Sequence, residues 1–163
     1  MKDPAIGETI TGADQRHLRT LGTLAAVAVI LSVPAQAQER ENEDQLRMLG
    51  RCQGCDFEGI DLVDRKLSGI DLTEATLEDV DFEDASLNIA VFDYAVLRNV
   101  SFEGADLSGA SFRGARLVDV SFENAELQGA VFEDALLENT NLGAGRLCNT
   151  QMPNEERNSS ECD

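Results

Sequence analysis

The hydrophobic pattern of this chain has a period of five residues from position 57 onward. A β-strand repeats its apolar residues every two positions and an α-helix every three or four. Here every fifth residue is Leu or Phe, and Met152 extends the register. The positions are Phe57, Leu62, Leu67, Leu72, Leu77, Phe82, Leu87, Phe92, Leu97, Phe102, Leu107, Phe112, Leu117, Phe122, Leu127, Phe132, Leu137, Leu142 and Leu147. This period predicts a chain that turns after each short straight segment.

A second, smaller residue precedes most of these large residues by two positions. It is usually Ala, as in Ala105 and Ala125, and Arg65 is the one clear departure. The three positions between are mostly Asp, Glu, Asn, Ser or Gly. Each pentad therefore places one large and one small residue inside, and it buries them only against neighbouring repeats in a stack of coils.

A longer period of twenty residues sets the number of sides. Aligning residues 97–116 with 117–136 matches Val100 with Val120 and Phe102 with Phe122. Four pentads therefore make one coil, and the coils should rise by about 4.8 Å, the spacing of hydrogen-bonded strands. Phe should occupy two opposite sides, in the stacks Phe82, Phe102, Phe122 and Phe92, Phe112, Phe132.

The segments "GADLSGASF" and "ENAELQGAVF" resemble the pentapeptide-repeat family, and the resemblance covers residues 55–152. Members of this family fold as a right-handed quadrilateral β-helix. The resemblance implies an all-β fold of about five 20-residue coils over residues 52–152. Arg65, Thr140 and Gly145 depart from the repeat, so the first and last coils should be less regular.

The two ends of the repeat resemble exported bacterial members of the family. "CQGCDFEG" is similar to their N-terminal cap, and "LCNTQMPNEERNSSECD" is similar to their closing segment. Before the repeat, "RENEDQLRMLG" is rich in helix formers, with Leu46 and Leu49 three apart and Gly50 as a stop. We therefore expect an N-terminal cap with a short helix at 38–51 and a separate tail at 153–163.

Residues 1–37 have the features of a signal peptide. Basic residues between positions 16 and 19 precede an apolar run at 21–33, and Ala35-Gln36-Ala37 forms a small-x-small cleavage site. The run is too short for a membrane anchor, because a spanning helix needs about 20 apolar residues. The sequence predicts cleavage after Ala37 and a periplasmic or secreted protein.

Export affects how the four cysteines are interpreted. In an oxidising compartment an even set predicts disulfides, and three pairings are possible. In the β-helix implied by the resemblance, Cys52 and Cys148 are separated by about 20 Å of coil height, which is too far for a bond. This leaves Cys52 with Cys55, and Cys148 with Cys162. The second bond would tie the tail over the last coil and stabilise the fold by about 3 kcal/mol.

Other chemistries for these cysteines and for the carboxylates are less well supported. Cys52 and Cys55 could instead form a redox or metal dithiol. The only histidine, His17, lies in the predicted signal peptide, so no His is left to activate a nucleophile in the mature chain. The many carboxylates should project from a convex surface, where nothing desolvates them. We therefore predict that the protein is not an enzyme and has no cofactor.

The chain is strongly acidic, with 13 Lys and Arg against 31 Asp and Glu and a net charge of -18. This balance argues against nucleic acid or an anionic membrane as a partner, because both favour positive charge. The coil register stacks Glu83, Glu103 and Glu123, and bound Ca²⁺ would relieve their repulsion. Because water and counterions also screen it, a surface calcium site is only an alternative.

Outward apolar residues give the best indication of a partner. Ile89, Val91, Tyr94 and Val96 occupy positions that elsewhere hold Asp, Ser or Gly, and two more follow in the same columns two coils later, Val131 and Leu136. Contiguous exposed apolar surface often marks an interface, although scattered single residues need no explanation. We call these six residues the apolar strip and predict that it contacts a protein partner or a second copy.

The sequence therefore favours an exported, non-catalytic solenoid that binds protein or acts as a scaffold in the periplasm. The family resemblance implies one alternative. Some cytoplasmic members resemble DNA in charge and shape and bind type II topoisomerases. That role fits the acidic surface, but it requires that the protein is not exported.

Overall fold

The structure is a computed structural model that describes residues 50–162. The predicted signal peptide at 1–37 and nearly all of the predicted cap at 38–51 lie outside these residues, and so does Asp163. From residue 51 the chain enters a regular series of short straight segments and turns that repeats every five residues. No helix within residues 50–162 combines the length and apolarity that crossing a bilayer requires.

One side of the coil forms a five-stranded parallel sheet in the order β1-β2-β3-β4-β5. Each strand pairs with the strand twenty residues later; for example, Phe57 lies opposite Leu77, and Leu97 opposite Leu117. Four complete turns of the coil therefore separate β1 from β5. The strands are β1 (Asp56–Glu58), β2 (Thr76–Glu78), β3 (Val96–Arg98), β4 (Arg116–Val118) and β5 (Leu136–Glu138).

The other three sides are held by single parallel bridges with the same twenty-residue shift. We name the sides by their central residues: side A contains Phe92 and Phe112, side B contains β1–β5, side C contains Phe102 and Phe122, and side D contains Leu107. Bridges run along side A from Asp71 through Val91 and Ser111 to Val131. These four ladders confirm the predicted all-β quadrilateral β-helix.

The core consists of the two predicted phenylalanine stacks. In side A, ring centroids of Phe92 and Phe112, and of Phe112 and Phe132, are both 4.8 Å apart. In side C the rings are 5.1 and 5.3 Å apart. These spacings follow the coil rise, so backbone pairing itself brings the rings into van der Waals contact. Rings of the two stacks meet edge to face, as between Phe102 and Phe112 at 5.9 Å.

The turn after each large residue requires an unusual backbone. The residue two positions later has a positive φ at every corner from Gly54 to Asn149 except Ala144; at Gly104, for example, φ is 66°. Gly adopts this left-handed region freely, and Asn and Asp tolerate it better than other residues. Most corners accordingly hold Gly, Asp or Asn, including Asp64, Asp79, Asp84, Asp119, Asp134, Asn99, Asn124 and Asn139.

Both ends of the β-helix carry a disulfide. Cys52 and Cys55 are bonded with Cα atoms 5.5 Å apart, and Cys148 and Cys162 with Cα atoms 4.8 Å apart. The segment after residue 152 is the tail that we expected the second disulfide to tie back. It folds back as an antiparallel hairpin of β6 (Thr150–Gln151) and β7 (Arg157–Asn158).

The first and last coils are less regular than the middle ones. In the first coil Arg65 is exposed, and Leu62 and Leu67 are only half-buried. In the last coil the 3-10 turn η1 (Leu142–Ala144) replaces the usual turn after the large residue. These irregularities lie at or next to Arg65, Thr140 and Gly145, where the sequence departs from the repeat.

The interior has room for one large residue on each side of a coil. Ala105 is fully buried, so Ala105→Leu should overpack the core and lower the free energy of unfolding by about 1 to 3 kcal/mol. Urea unfolding measures this change. Glu103→Leu adds the same side chain at an exposed position of the preceding pentad and should change stability by less than about 0.5 kcal/mol. Equal effects of the two substitutions would contradict the close-packed core.

Candidate protein-interaction surface

Two residues of the apolar strip occupy corner positions. Ile89 has a φ of 55° and Tyr94 a φ of 60°, in the left-handed region. Their side chains are 66% and 64% exposed. A β-branched or bulky residue with positive φ is an outlier. Among residues 50–162, Ile89 is the only β-branched residue and Tyr94 the only aromatic one with positive φ.

Glycines at the same corner of adjacent coils make room for both side chains. Ile89 lies between Gly69 and Gly109, where an added Cβ would come 3.7 Å from Ile89 Cδ1 and 3.4 Å from Ile89 Cγ2, respectively. The Tyr94 ring lies over Gly114, where a Cβ would come within 2.7 Å of the ring carbons Cδ1 and Cε1. A side chain at residue 114 would therefore displace the ring.

The other four members of the strip lie in two columns. Val91 and Val131 are half-buried on side A, and Ser111 lies between them. Val96 is half-buried on side B, and Leu136 is 64% exposed there, with Arg116 between them. The structure thus places all six residues on two adjacent sides. They belong to two coils, and the coil between these two has polar residues at the equivalent positions.

Charged groups next to the strip are mostly paired. Arg113 Nε lies 3.1 Å from Glu133 Oε2, and Arg116 Nη2 lies 3.0 Å from Glu138 Oε2. Asp93 accepts hydrogen bonds from the Ser111 hydroxyl and from the Arg113 backbone N–H. These half-exposed pairs add little stability, but they leave few uncompensated charges on side A.

Asp71 is a fixed negative charge on side A, one coil before Val91. Burial raises the pKa of its carboxyl, but hydrogen bonds from Thr73 and Gln53 and the nearby charge of Arg51 outweigh burial and lower the pKa. The Thr73 hydroxyl donates at 2.6 Å and the Gln53 side-chain amide at 2.6 Å. Asp71 is therefore ionised at neutral pH.

Side C is the acidic side of the β-helix. Its outward positions hold Asp81, Glu83, Glu103 and Glu123 and no Lys or Arg. Desolvation raises the pKa of Glu83, and the negative charges of Glu103 and Asp81 raise it further. Among residues 50–162, no three or more Asp, Glu, Cys or His are grouped so that they could hold a metal ion.

Sequence analysis alone did not identify the glycines beneath the strip. Gly69, Gly109 and Gly129 share a corner with Ile89, and Gly114 shares a corner with Tyr94. The twenty-residue period contained this information, because these positions differ from Ile89 or Tyr94 by multiples of twenty. What it did not reveal is that the two side chains lie along the corner rather than pointing directly outward.

Repulsion on side C gives a pH-dependent prediction. Because the folded-state pKa of Glu83 is raised above its ordinary value of 4.5, ionised Glu83 destabilises the fold at pH values above that range. Glu83→Gln should therefore raise the melting temperature at pH 7 and have no effect near pH 3. Glu58→Gln on side B is the control and should change the melting temperature less at pH 7. A Glu83→Gln variant that melts below the wild type at pH 7 would contradict this account.

Several solved structures are similar to this chain. HetL, a pentapeptide repeat protein involved in heterocyst differentiation regulation from Nostoc sp. strain PCC 7120, is 29% identical over 66% of this chain and 53% of its own, with a TM-score of 0.52. A pentapeptide repeat protein from the Arabidopsis thaliana thylakoid lumen is 28% identical over 66% of this chain and 68% of its own, with a TM-score of 0.38. QnrB1, a plasmid-mediated fluoroquinolone resistance protein, is 23% identical over 57% of this chain and 51% of its own, with a TM-score of 0.44.

This chain spans about half the length of the HetL and QnrB1 structures that it matches. A search of curated proteins found no match. Family models give the clearest assignment. Two models of pentapeptide repeats match residues 51–88 and residues 92–144, which together make up more than half of the chain. The chain belongs to the pentapeptide-repeat family.

Proposed function

We propose that this protein is an exported, non-catalytic scaffold whose apolar strip binds another protein chain in the periplasm. Pentapeptide-repeat proteins are generally structural or binding scaffolds. The observation that carries the proposal is the pair of exposed apolar corner residues, Ile89 and Tyr94. Both occupy positions where Gly, Asn or Asp would fit the backbone better.

Backbone strain supports a binding role for these two residues. A left-handed conformation costs an ordinary residue on the order of 1 to 2 kcal/mol, and such outliers cluster at functional sites. Neither side chain gains this back by burial, because both are about two-thirds exposed. Contact with another protein would bury both side chains, and the free energy of that contact would offset the backbone strain.

Two observations support export. Residues 1–37 have the pattern of a signal peptide. The described cysteines all lie in two disulfides, with none free among residues 50–162, and such bonds persist mainly in oxidising compartments. We propose that cleavage near Ala37 leaves a periplasmic chain that begins at Gln38.

A second candidate function is mimicry of DNA towards a type II topoisomerase. The acidic outward positions of side C favour it, because carboxylates in stacked coils present a row of negative charges. This candidate requires a cytoplasmic protein, whereas the disulfides and the predicted signal peptide favour export. Locating the protein in the cell therefore decides between the two candidates.

The proposal predicts a mature periplasmic protein that crosslinks through its strip. Cell fractionation and N-terminal sequencing should recover a chain starting near Gln38. A photocrosslinking amino acid at Val91 should capture another protein chain in the periplasm. The same amino acid at Ser101 is the control, because Ser101 is also half-buried and occupies the matching outward position on side C. A full-length cytoplasmic protein would contradict export, and equal crosslinking from both positions would contradict the strip.

A further inference from the structure

We infer that the occupant of the apolar strip is a second copy of this chain, packed antiparallel against side A. The inference rests on the proposed binding role of the strip and names its partner. Twofold dimers bury the same surface of both copies, so a dimer surface must be complementary to itself. Side A is complementary to itself when it is rotated about an axis at the level of Ser111.

The self-complementarity begins with the valines. Val91 and Val131 lie in one column, one coil before and one coil after Ser111. A twofold axis that runs perpendicular to the β-helix beside Ser111 would exchange these two levels. Val91 of each copy would then face Val131 of the other, and the two Ser111 residues would face each other.

The corner next to this column is complementary in shape. Ile89 projects from the level of Val91 and is 66% exposed. Gly129 lies at the same corner at the level of Val131, and a Cβ added there would have nothing within 4 Å. The same axis places Ile89 of one copy over the space at Gly129 of the other. The contact forms twice in the dimer.

The polar groups around these contacts are mostly compatible with the same axis. The two Arg113 side chains would face each other, but each is paired with Glu133 of its own chain. Tyr94 would face Asp134 of the second copy, where its hydroxyl can donate to the carboxylate. Asp93 would face Glu133 of the second copy, but each is already bonded within its own chain, to Ser111 and Arg113 respectively. Asn88 and Gln128, on side D at the same two levels, would bring two amides together.

A parallel dimer would bury worse pairs. An axis along the β-helix would keep each coil at its own level and exchange the two edges of side A. Val131 would then face Glu133 and Val91 would face Asp93, each placing a carboxylate against an apolar side chain. Both carboxylates are already bonded within their own chain, and the parallel axis would also bring Ile89 to Tyr94 of the second copy. It would nevertheless leave Val91 and Val131 against polar groups, whereas the antiparallel axis packs valine on valine. The antiparallel arrangement is therefore favoured.

Charge predicts how the dimer responds to salt. Each copy has a net charge of -18, so two copies repel each other at low ionic strength. Salt screens this repulsion, with a Debye length of about 10 Å at 0.1 M. The dimer should therefore become stronger when NaCl is raised from about 20 mM to about 200 mM, because screening increases steeply over this range. A cationic protein partner would bind more weakly over the same range.

Cysteine crosslinking tests the axis directly. In the antiparallel dimer the two Ser111 residues lie together on the twofold axis, and facing sheets pack about 10 Å apart, so a short bis-maleimide should link two copies of Ser111→Cys. Ser101→Cys is the control, at the same outward position on side C, and should stay monomeric. In a parallel dimer Ser111 would face Arg113, so a sedimenting dimer without the Ser111→Cys crosslink would overturn the antiparallel axis.

A second pair of variants tests the contact with Gly129 without disturbing the monomer. Gly129→Asn keeps a residue that tolerates positive φ and fills the space for Ile89 of the second copy. Gly59→Asn makes the same change at a corner that also has nothing within 4 Å of a Cβ. Sedimentation of the full mature chain should show at least a tenfold weaker dimer for Gly129→Asn and no change for Gly59→Asn. Equal dimerisation of both variants would overturn the inference.

The inference and the proposed function can fail separately. If the wild type stays monomeric at about 300 µM, a concentration well above the micromolar range expected for a small interface, the inference is wrong. Crosslinking of a different protein from Val91 would then still support the strip as a binding surface. If Val91 crosslinks no protein at all, the proposed function fails as well.

Discussion

Backbone pairing between residues twenty positions apart is the interaction on which the rest of this structure depends. Leu97, for example, lies opposite Leu77 and Leu117, and each coil repeats this on four sides. Because the coil rise is fixed by these hydrogen bonds, equivalent side chains stack at about 4.8 Å. The phenylalanine stacks inside, the alanines beside them and the ordered columns outside all follow from that single spacing.

Much of this architecture could be predicted from the sequence, because inward positions tolerate few residue types. The five-residue register gave the core, and Val100 with Val120 indicated the twenty-residue coil. Details at the ends could not be predicted in the same way. The hairpin of β6 and β7 occurs once and does not belong to the repeat. It depends on contacts such as the hydrogen bond from Met152 N–H to the Glu156 carbonyl.

The candidate surface was only partly predictable for a related physical reason. An outward residue leaves a sequence signal when its type is unusual, as for Ile89 and Tyr94. The conformation that makes these residues costly, a positive φ at each corner, was not visible in the pattern. Asn99, which donates to Asp79 at another corner, shows the ordinary solution. Compared with such corners, Ile89 and Tyr94 are exceptions that the fold does not require.

The central claim is that Ile89 and Tyr94 serve a contact rather than the fold. The direct test is the free energy of unfolding of Ile89→Asn and Tyr94→Asn, measured at concentrations too low for association. Because Asn tolerates the left-handed region, each variant should be more stable than the wild type by about 1 kcal/mol while losing the interaction at the strip. Variants that are less stable and still associate would contradict the account.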